Sequence, residues 1–257
     1  HFGLDRKVEP IKSGQEVEIL GKKFLFLETP MIHWPDSMFC YFVEDQILFS
    51  NDAFGMHLAS VERWFDEYSE AVVIEESLRY YANIITPYSH VVEKFLEKFR
   101  SLNLELKAIA PDHGLCWRGA GMEKILSLYS RWCDPEKRRK KKVVVVYDTM
   151  WHSTEMMANH IADGARGEGV TCVVLPIQES HRTEIAYELL EASALALGSP
   201  TLNSGILPTV ADSVCYVEGL KFTPAVGLAF GSYGWNECSV KSLSAVLERM
   251  GAKSVGS

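Results

Sequence analysis

The 257-residue chain has no apolar run near the roughly 18 residues that a membrane-spanning helix needs, and its first ten residues lack the apolar core of a signal peptide. A cytoplasmic protein without membrane contact is therefore expected. Positive charge is scarce: 26 Lys and Arg against 34 Asp and Glu leave a net charge of −8. An extended nucleic-acid-binding surface is not expected, and small molecules or proteins are better partners. The six cysteines include no C-x-x-C pair, which excludes a zinc knuckle or a redox dithiol and leaves reduced thiols as the expectation. Internal repeats and low-complexity tracts are also missing.

What is present suits two cores. The chain is long for one domain, and 47% hydrophobic, 11% aromatic and 23% charged residues are ordinary for a soluble globular protein. The sharpest composition shift is Asp134-Pro135-Glu136 followed by Lys137-Arg138-Arg139-Lys140-Lys141-Lys142. Six like charges repel and resist burial, so a solvated linker over 137–142 is expected between domains at 1–136 and 143–257; a nucleic-acid patch is the other use of such a run.

Before the run, short apolar segments suit strands at 17–20, 23–28, 38–43, 47–50, 71–74 and 104–110, and helical spacing recurs around Val91–Phe99 and Met122–Tyr129. After it, strands at 142–147, 171–177, 194–198 and 225–230 alternate with helices at 155–166, 183–192, 209–220 and 237–250. Repeated βα units imply a parallel sheet with helices on both faces. Four strands precede Ser257, so the last strand and helix of a five-stranded sheet are expected to be missing. The opening phrase His1–Asp5 reads like the middle of a domain, and truncation at both ends is expected.

In an open parallel sheet, ligands bind beyond the carboxyl ends of the strands. The first such loop, Asp148-Thr149-Met150-Trp151-His152-Ser153-Thr154, offers backbone N–H groups and three hydroxyls at a helix start, which suits a phosphate. It lacks G-x-G-x-x-G and G-x-x-x-x-G-K, so a lone monophosphate fits better than a dinucleotide or nucleoside triphosphate. Ser153 or Thr154 also suits a helix cap. Ser199-Pro200-Thr201-Leu202-Asn203-Ser204-Gly205 and Gly231-Ser232-Tyr233-Gly234-Trp235 share that sheet edge, and Trp151, Tyr233 and Trp235 suit stacking on a flat ring or packing on a partner subunit. In the first half, His33, Asp52 and His113 each follow a strand, and imidazole plus carboxylate suits iron or zinc at one cation; the same residues serve commonly as turn or capping residues. Asp36, Asp112 and His57 are candidates for supporting hydrogen bonds. His90 and His181 read as surface residues.

The phrases Asp148–Thr154, Ser199–Gly205 and Phe230–Trp235, with those around His33, Asp52 and His113, resemble flavodiiron proteins. The resemblance implies α/β and α+β architecture: a partial metallo-β-lactamase-like αββα domain, then a flavodoxin-like doubly wound parallel sheet. It implies FMN, its phosphate held by Thr149, Met150, Trp151, His152, Ser153 and Thr154 and its isoalloxazine framed by Ser199, Pro200, Thr201, Leu202, Asn203, Ser232, Tyr233, Gly234 and Trp235. It implies two non-haem irons, with His33, Asp52 and His113 as ligands and Asp52 bridging. The family's H-x-E-x-D-H motif, which carries the remaining ligands, does not occur in these residues and is expected upstream of His1. An electron donor such as rubredoxin, O2 or NO as substrate, and a head-to-tail homodimer are implied in turn. A zinc hydrolase of metallo-β-lactamase type and an FMN electron carrier without a working metal site are the alternatives.

Overall fold

Val143–Val146 is apolar without alternation because both faces of the strand it forms are covered. In the computed structural model, which describes residues 9–255, that strand is β7 (Lys140–Tyr147). Val145 and Tyr147 pack with Ala158, Ala196 and Phe230 on one side, while Val146 meets Ile185, Leu189, Val210 and Val214 on the other. The described residues form two compact units, 9–77 with 91–129, and 78–90 with 130–255. The phrase His1–Asp5 lies outside the described residues.

In the first unit, β1 (Glu16–Ile19), β2 (Lys22–Glu28), β3 (Met38–Phe42), β4 (Ile47–Phe49), β5 (Ala108–Ala110) and β6 (Trp117–Arg118) form one sheet in chain order. β1 to β4 are antiparallel neighbours, β4 and β5 are parallel, and β6 returns antiparallel. The core is aromatic: Phe39 meets Phe95 edge-on at 4.7 Å, Phe54 lies 4.6 Å from Tyr129, and Phe65 stacks on Trp117 at 4.8 Å. Residues 71–74 are helical rather than extended, within α1 (Glu70–Tyr80). A four-residue apolar run does not distinguish the two states, and the following Glu75-Glu76-Ser77-Leu78 continues a helix face; Val73 is buried while Val72 is exposed. The helical spacings elsewhere form α2 (Ser89–Ser101) and α3 (Ala120–Trp132).

The second unit is a parallel sheet in the order β11-β10-β9-β7-β8, with β8 (Thr171–Pro176), β9 (Ala192–Gly198), β10 (Val226–Phe230) and β11 (Lys253–Ser254). Between the strands run α5 (Ser153–Gly167), α6 (Arg182–Leu190), α7 (Pro208–Gly219) and α8 (Ser239–Arg249). Two expectations are corrected. A fifth strand is present, since β11 pairs with β10 through Val226↔Lys253 and Gly227↔Ser254. The basic run is not a free linker: Pro135–Arg138 forms the short helix α4, Arg138 is buried with Nη1 donating to the Trp132 carbonyl at 3.0 Å, and Lys140–Lys142 begin β7. Its charges are dispersed onto separate partners, with Arg139 meeting Glu136, Lys140 meeting Glu191 and Lys142 meeting Glu188.

Residues 78–90, including a π-helical turn at Tyr81–Ile85, are held within this unit by Asn83. Its amide nitrogen donates to the carbonyls of Arg79 (2.9 Å) and Thr183 (3.1 Å), and its oxygen accepts from Tyr216 (2.8 Å). We expect Asn83→Ala to cost about 1–3 kcal/mol, because it strands a part-buried phenol and two carbonyls. Denaturant unfolding of the full chain, compared with Tyr216→Phe, measures it; loss of less than the Tyr216→Phe value would show that the amide is not the tie.

Candidate functional site

The first site depends on strand direction. β2 and β4 are both antiparallel to β3 and so run the same way, and β5 is parallel to β4. The loops that follow β2, β4 and β5 therefore leave one edge of the sheet, and these loops carry His33, Asp52 and His113. β2 is two strands from β4, about 10 Å at the usual strand spacing, and the longer Thr29–Ser37 connection brings His33 back across that gap. Gly114, at φ +78, lets the His113 loop turn against Met56, whose sulfur would lie 2.2 Å from an added Cβ.

The three side chains converge on the Asp52 carboxylate. His33 Nε2 is 3.4 Å from Asp52 Oδ2, and His113 Nε2 is 3.1 Å from Asp52 Oδ1. Among the described residues no three His, Cys, Asp or Glu side chains close on one metal position. Two imidazoles instead face opposite oxygens of one carboxylate, which differs from the single-cation geometry expected from strand ends alone. With metal–ligand bonds of about 2.1 Å, two ligands of one cation lie about 3.0 to 3.4 Å apart, so each His–Asp separation matches an edge of a coordination polyhedron. Asp52 is 9% exposed, His33 partly buried and His113 half exposed. His57 is exposed, its ring 5.7 Å from that of His113. Asp112 accepts from the Asn51 amide at 3.0 Å, and Asp36 is exposed.

The second site lies in the other unit, beyond the carboxyl ends of β7, β9 and β10. An open cleft of about 250 Å³ is bounded by Met150, Trp151, Ser153, Thr201, Ser232 and Tyr233, with Pro200 and Gly234 completing its wall. Closed ligand pockets are usually about 300–1,000 Å³, so this cleft suits a flat group held at its edge with one side open. Gly231 has no room for a side chain, since an added Cβ would be 2.1 Å from the Ser199 carbonyl, and this contact lets the two loops meet.

The other residues expected at the site do not line the cleft. His152 is the N-cap of α5 with φ 64, makes no capping hydrogen bond, and directs its exposed ring to Glu155 Oε2 at 2.6 Å. The cap expected of Ser153 or Thr154 is therefore not formed. Thr154, fully buried, meets the Ser232 hydroxyl at 3.2 Å. Ser199 is buried and pins its own loop, donating to the Pro200 carbonyl and accepting from Leu207 N. Leu202 and Gly205 close a turn whose tip includes Asn203 at φ 49, and Trp235 is 96% exposed. Thr149 Oγ1 is buried with no partner, an orphaned donor at the phosphate-like loop.

Asp148, which opens the loop after β7, has a role that the sequence does not mark. Its buried carboxylate accepts from Thr149 N at 2.7 Å, from Gln178 Nε2 at 3.0 Å and from the Thr209 hydroxyl, joining the loops after β7 and β8 to α7. Thr201 Oγ1, which accepts from Ser239 N at 3.2 Å, ties the loop after β9 to α8. Neither tie leaves a local pattern beyond a polar residue at a strand end. Burial raises the Tyr147 phenol above its ordinary range, with Glu155 adding to the effect, and burial likewise raises the thiols of Cys40, Cys116 and Cys172. All six cysteines are free.

Residues 1–114 match the ODP family of beta lactamases and residues 145–257 match flavodoxin. The chain is 40% identical over 240 residues to a nitric oxide reductase of Moorella thermoacetica, covering 93% of this chain and 59% of that protein. The solved rubredoxin oxygen:oxidoreductase from Desulfovibrio gigas superposes with a TM-score of 0.94 at 37% identity, over 98% of this chain and 62% of that one. The flavodiiron protein from Giardia intestinalis gives 0.89 at 37% identity, over 94% and 59%. The chain belongs to the flavodiiron proteins. It spans about three fifths of the length of these relatives. Membership implies FMN and a non-haem diiron centre as cofactors, and both sites fit: one has an orphaned hydroxyl and an uncapped helix start for a phosphate, the other a carboxylate divided between two imidazoles.

Thr149→Val removes the orphaned hydroxyl at nearly constant shape. Without ligand it should stabilise the chain by about 1 kcal/mol, because the buried unpaired group is gone. FMN affinity should fall at least about tenfold, one charge-assisted hydrogen bond being worth roughly 1.5–3 kcal/mol, with riboflavin hardly affected. Fluorescence titrations with both flavins check this, and equal losses would assign the loop a structural role only.

Proposed function

We propose that this chain provides the flavin domain and part of the diiron site of an oxidoreductase that moves electrons from a reduced donor, such as rubredoxin, to O2, giving water, or to NO, giving N2O. When bound, FMN supplies electron transfer and the iron centre supplies binding and reduction of the gas. The observation that carries the reading is the Asp52 carboxylate lying between His33 and His113. A carboxylate presenting one oxygen to each of two imidazoles suits two adjacent cations, whose repulsion it offsets.

The chain's own residues orient and exclude. Asp52 and His33 are mostly shielded from solvent, which limits competition by water, while the half-exposed His113 leaves an open side for a small gas molecule. In the flavin unit, the N–H groups of the first turn of α5 and the Thr149 and Ser153 hydroxyls would hold the phosphate, and Met150, Trp151 and Tyr233 would flank the ring. Trp151, Tyr233 and Trp235 are exposed on the loops that follow β7 and β10, in keeping with a head-to-tail homodimer in which a second copy covers them. The proposed location is cytoplasmic; among the described residues no helix is long and apolar enough to cross a membrane.

Metal analysis and an absorption spectrum after incubation with FMN and ferrous iron test the reading. Flavin with iron supports it; zinc alone would favour a hydrolase, and flavin without iron an electron carrier. Asp52→Ala should lower iron affinity at least about tenfold and leave the FMN spectrum intact. Iron content unchanged by Asp52→Ala would return His33, Asp52 and His113 to ordinary strand-end structure.

A further inference from the structure

Backbone bonds carry the β4–β5 pairing on into the Asp52 and His113 loops, with Ser50 N donating to the Ala110 carbonyl at 3.2 Å and Met56 N to the His113 carbonyl at 3.3 Å, whereas the Thr29–Ser37 loop closes its backbone bonds on itself, so side chains must set its register against the other two. Asn51 is the residue that touches all of them. Its Nδ2 donates to Asp112 Oδ2 at 3.0 Å, and its carbonyl accepts from Asp112 N at 2.8 Å. Its Oδ1 faces the Ser37 hydroxyl, which donates to it at 3.4 Å. Ser37 in turn closes the His33 loop: its hydroxyl accepts from Trp34 N at 3.2 Å and its carbonyl from Thr29 N at 2.9 Å. Asn51 immediately precedes Asp52 and Asp112 immediately precedes His113, so two of the three linked positions adjoin a candidate ligand.

The chemistry explains the residue type. This position must donate to a carboxylate and accept from a hydroxyl at once, which a side-chain amide does and a carboxylate does not. It also sits at φ 53, in the left-handed region that asparagine tolerates better than most residues. We propose that Asn51 is a positioning residue for the metal centre, its amide holding the His33 and His113 loops in register with Asp52. The proposal rests on the reading of His33, Asp52 and His113 as metal ligands.

A donor–acceptor exchange in the full chain tests it, using N51D, D112N and the double variant. In N51D two carboxylates face each other and the tie is lost. In D112N the new amide carbonyl still accepts from Asn51, and in the double variant Asn at 112 donates back to Asp at 51, restoring the tie with its polarity reversed. Cobalt(II) serves as the probe, read by its d–d absorption, with FMN binding as the control for folding. N51D should weaken cobalt binding about tenfold or more and alter the d–d bands, D112N should stay near wild type, and the double variant should recover most of the affinity and the original bands. Wild-type affinity and bands in N51D, or a double variant no better than N51D, would overturn the proposal.

Amide hydrogen exchange of the metal-free chain over residues 29–37 and 111–115 separates this proposal from the reading beneath it. Wild-type protein that fails to bind cobalt would sink the metal site itself. Exchange that quickens in N51D and recovers in the double variant would then still support the tie, and unchanged exchange would overturn it. Should N51D also lose FMN, Asn51→Gly takes its place, keeping the left-handed backbone and removing only the amide.

Discussion

A carboxylate taken out of water must find its hydrogen-bond donors inside the protein, and each unit has such a carboxylate at the carboxyl end of a strand. Asp148 finds neutral donors: a backbone N–H, the Gln178 amide and the Thr209 hydroxyl. Its demand is met internally, and the result is a rigid base for the loop that follows β7. Asp52 is different, because what faces its oxygens is a pair of imidazoles from other loops. An imidazole meets a carboxylate either as a donor or as a fellow ligand, and separations of 3.1 and 3.4 Å serve both. In this sense one aspartate ties neighbouring loops of its unit together, and the other draws two imidazoles from separate loops toward one carboxylate.

Strand direction decides where those carboxylates can act. The parallel sheet of the second unit puts every strand's end at one edge automatically, so the loops that follow its strands are adjacent by topology. The first unit is mixed, and only alternate members of its antiparallel part share a direction. That β2, β4 and β5 all point the same way makes a common site possible; the antiparallel β3 between them sets the distance the His33 loop must span. Residue count follows from this, since His33 lies five positions past Glu28 while His113 lies three past Ala110.

Much of this was legible in the sequence because strand ends are marked by local chemistry. The valine run, the polar phrases after it and the His and Asp residues following short apolar segments are all local signals, and the structure places them at strand ends as read. Residues 71–74 were misread because four apolar residues hold no period. The basic run was misread because a charge block signals solvation only if its members share a fate, and here Arg138 turns inward while its neighbours reach Glu136, Glu188 and Glu191. The short β11 escaped notice because Lys253–Ser254 is polar and owes its strand state to pairing with β10.

What a sequence hides is the contact between one loop and another. Asn51, Asp148 and Thr201 are each unremarkable within their own segment, and each gains its role from a partner about 14 to 61 positions away. Their common property is geometric: a short polar side chain at the first turn after a strand, in reach of the neighbouring loop. Ligand residues on such loops are only as well placed as these ties make them, because a loop released from its neighbour regains backbone entropy of about 1–2 kcal/mol per residue. Precise placement of His33 and His113 about Asp52 is therefore a property of the residues between these three as much as of the three themselves.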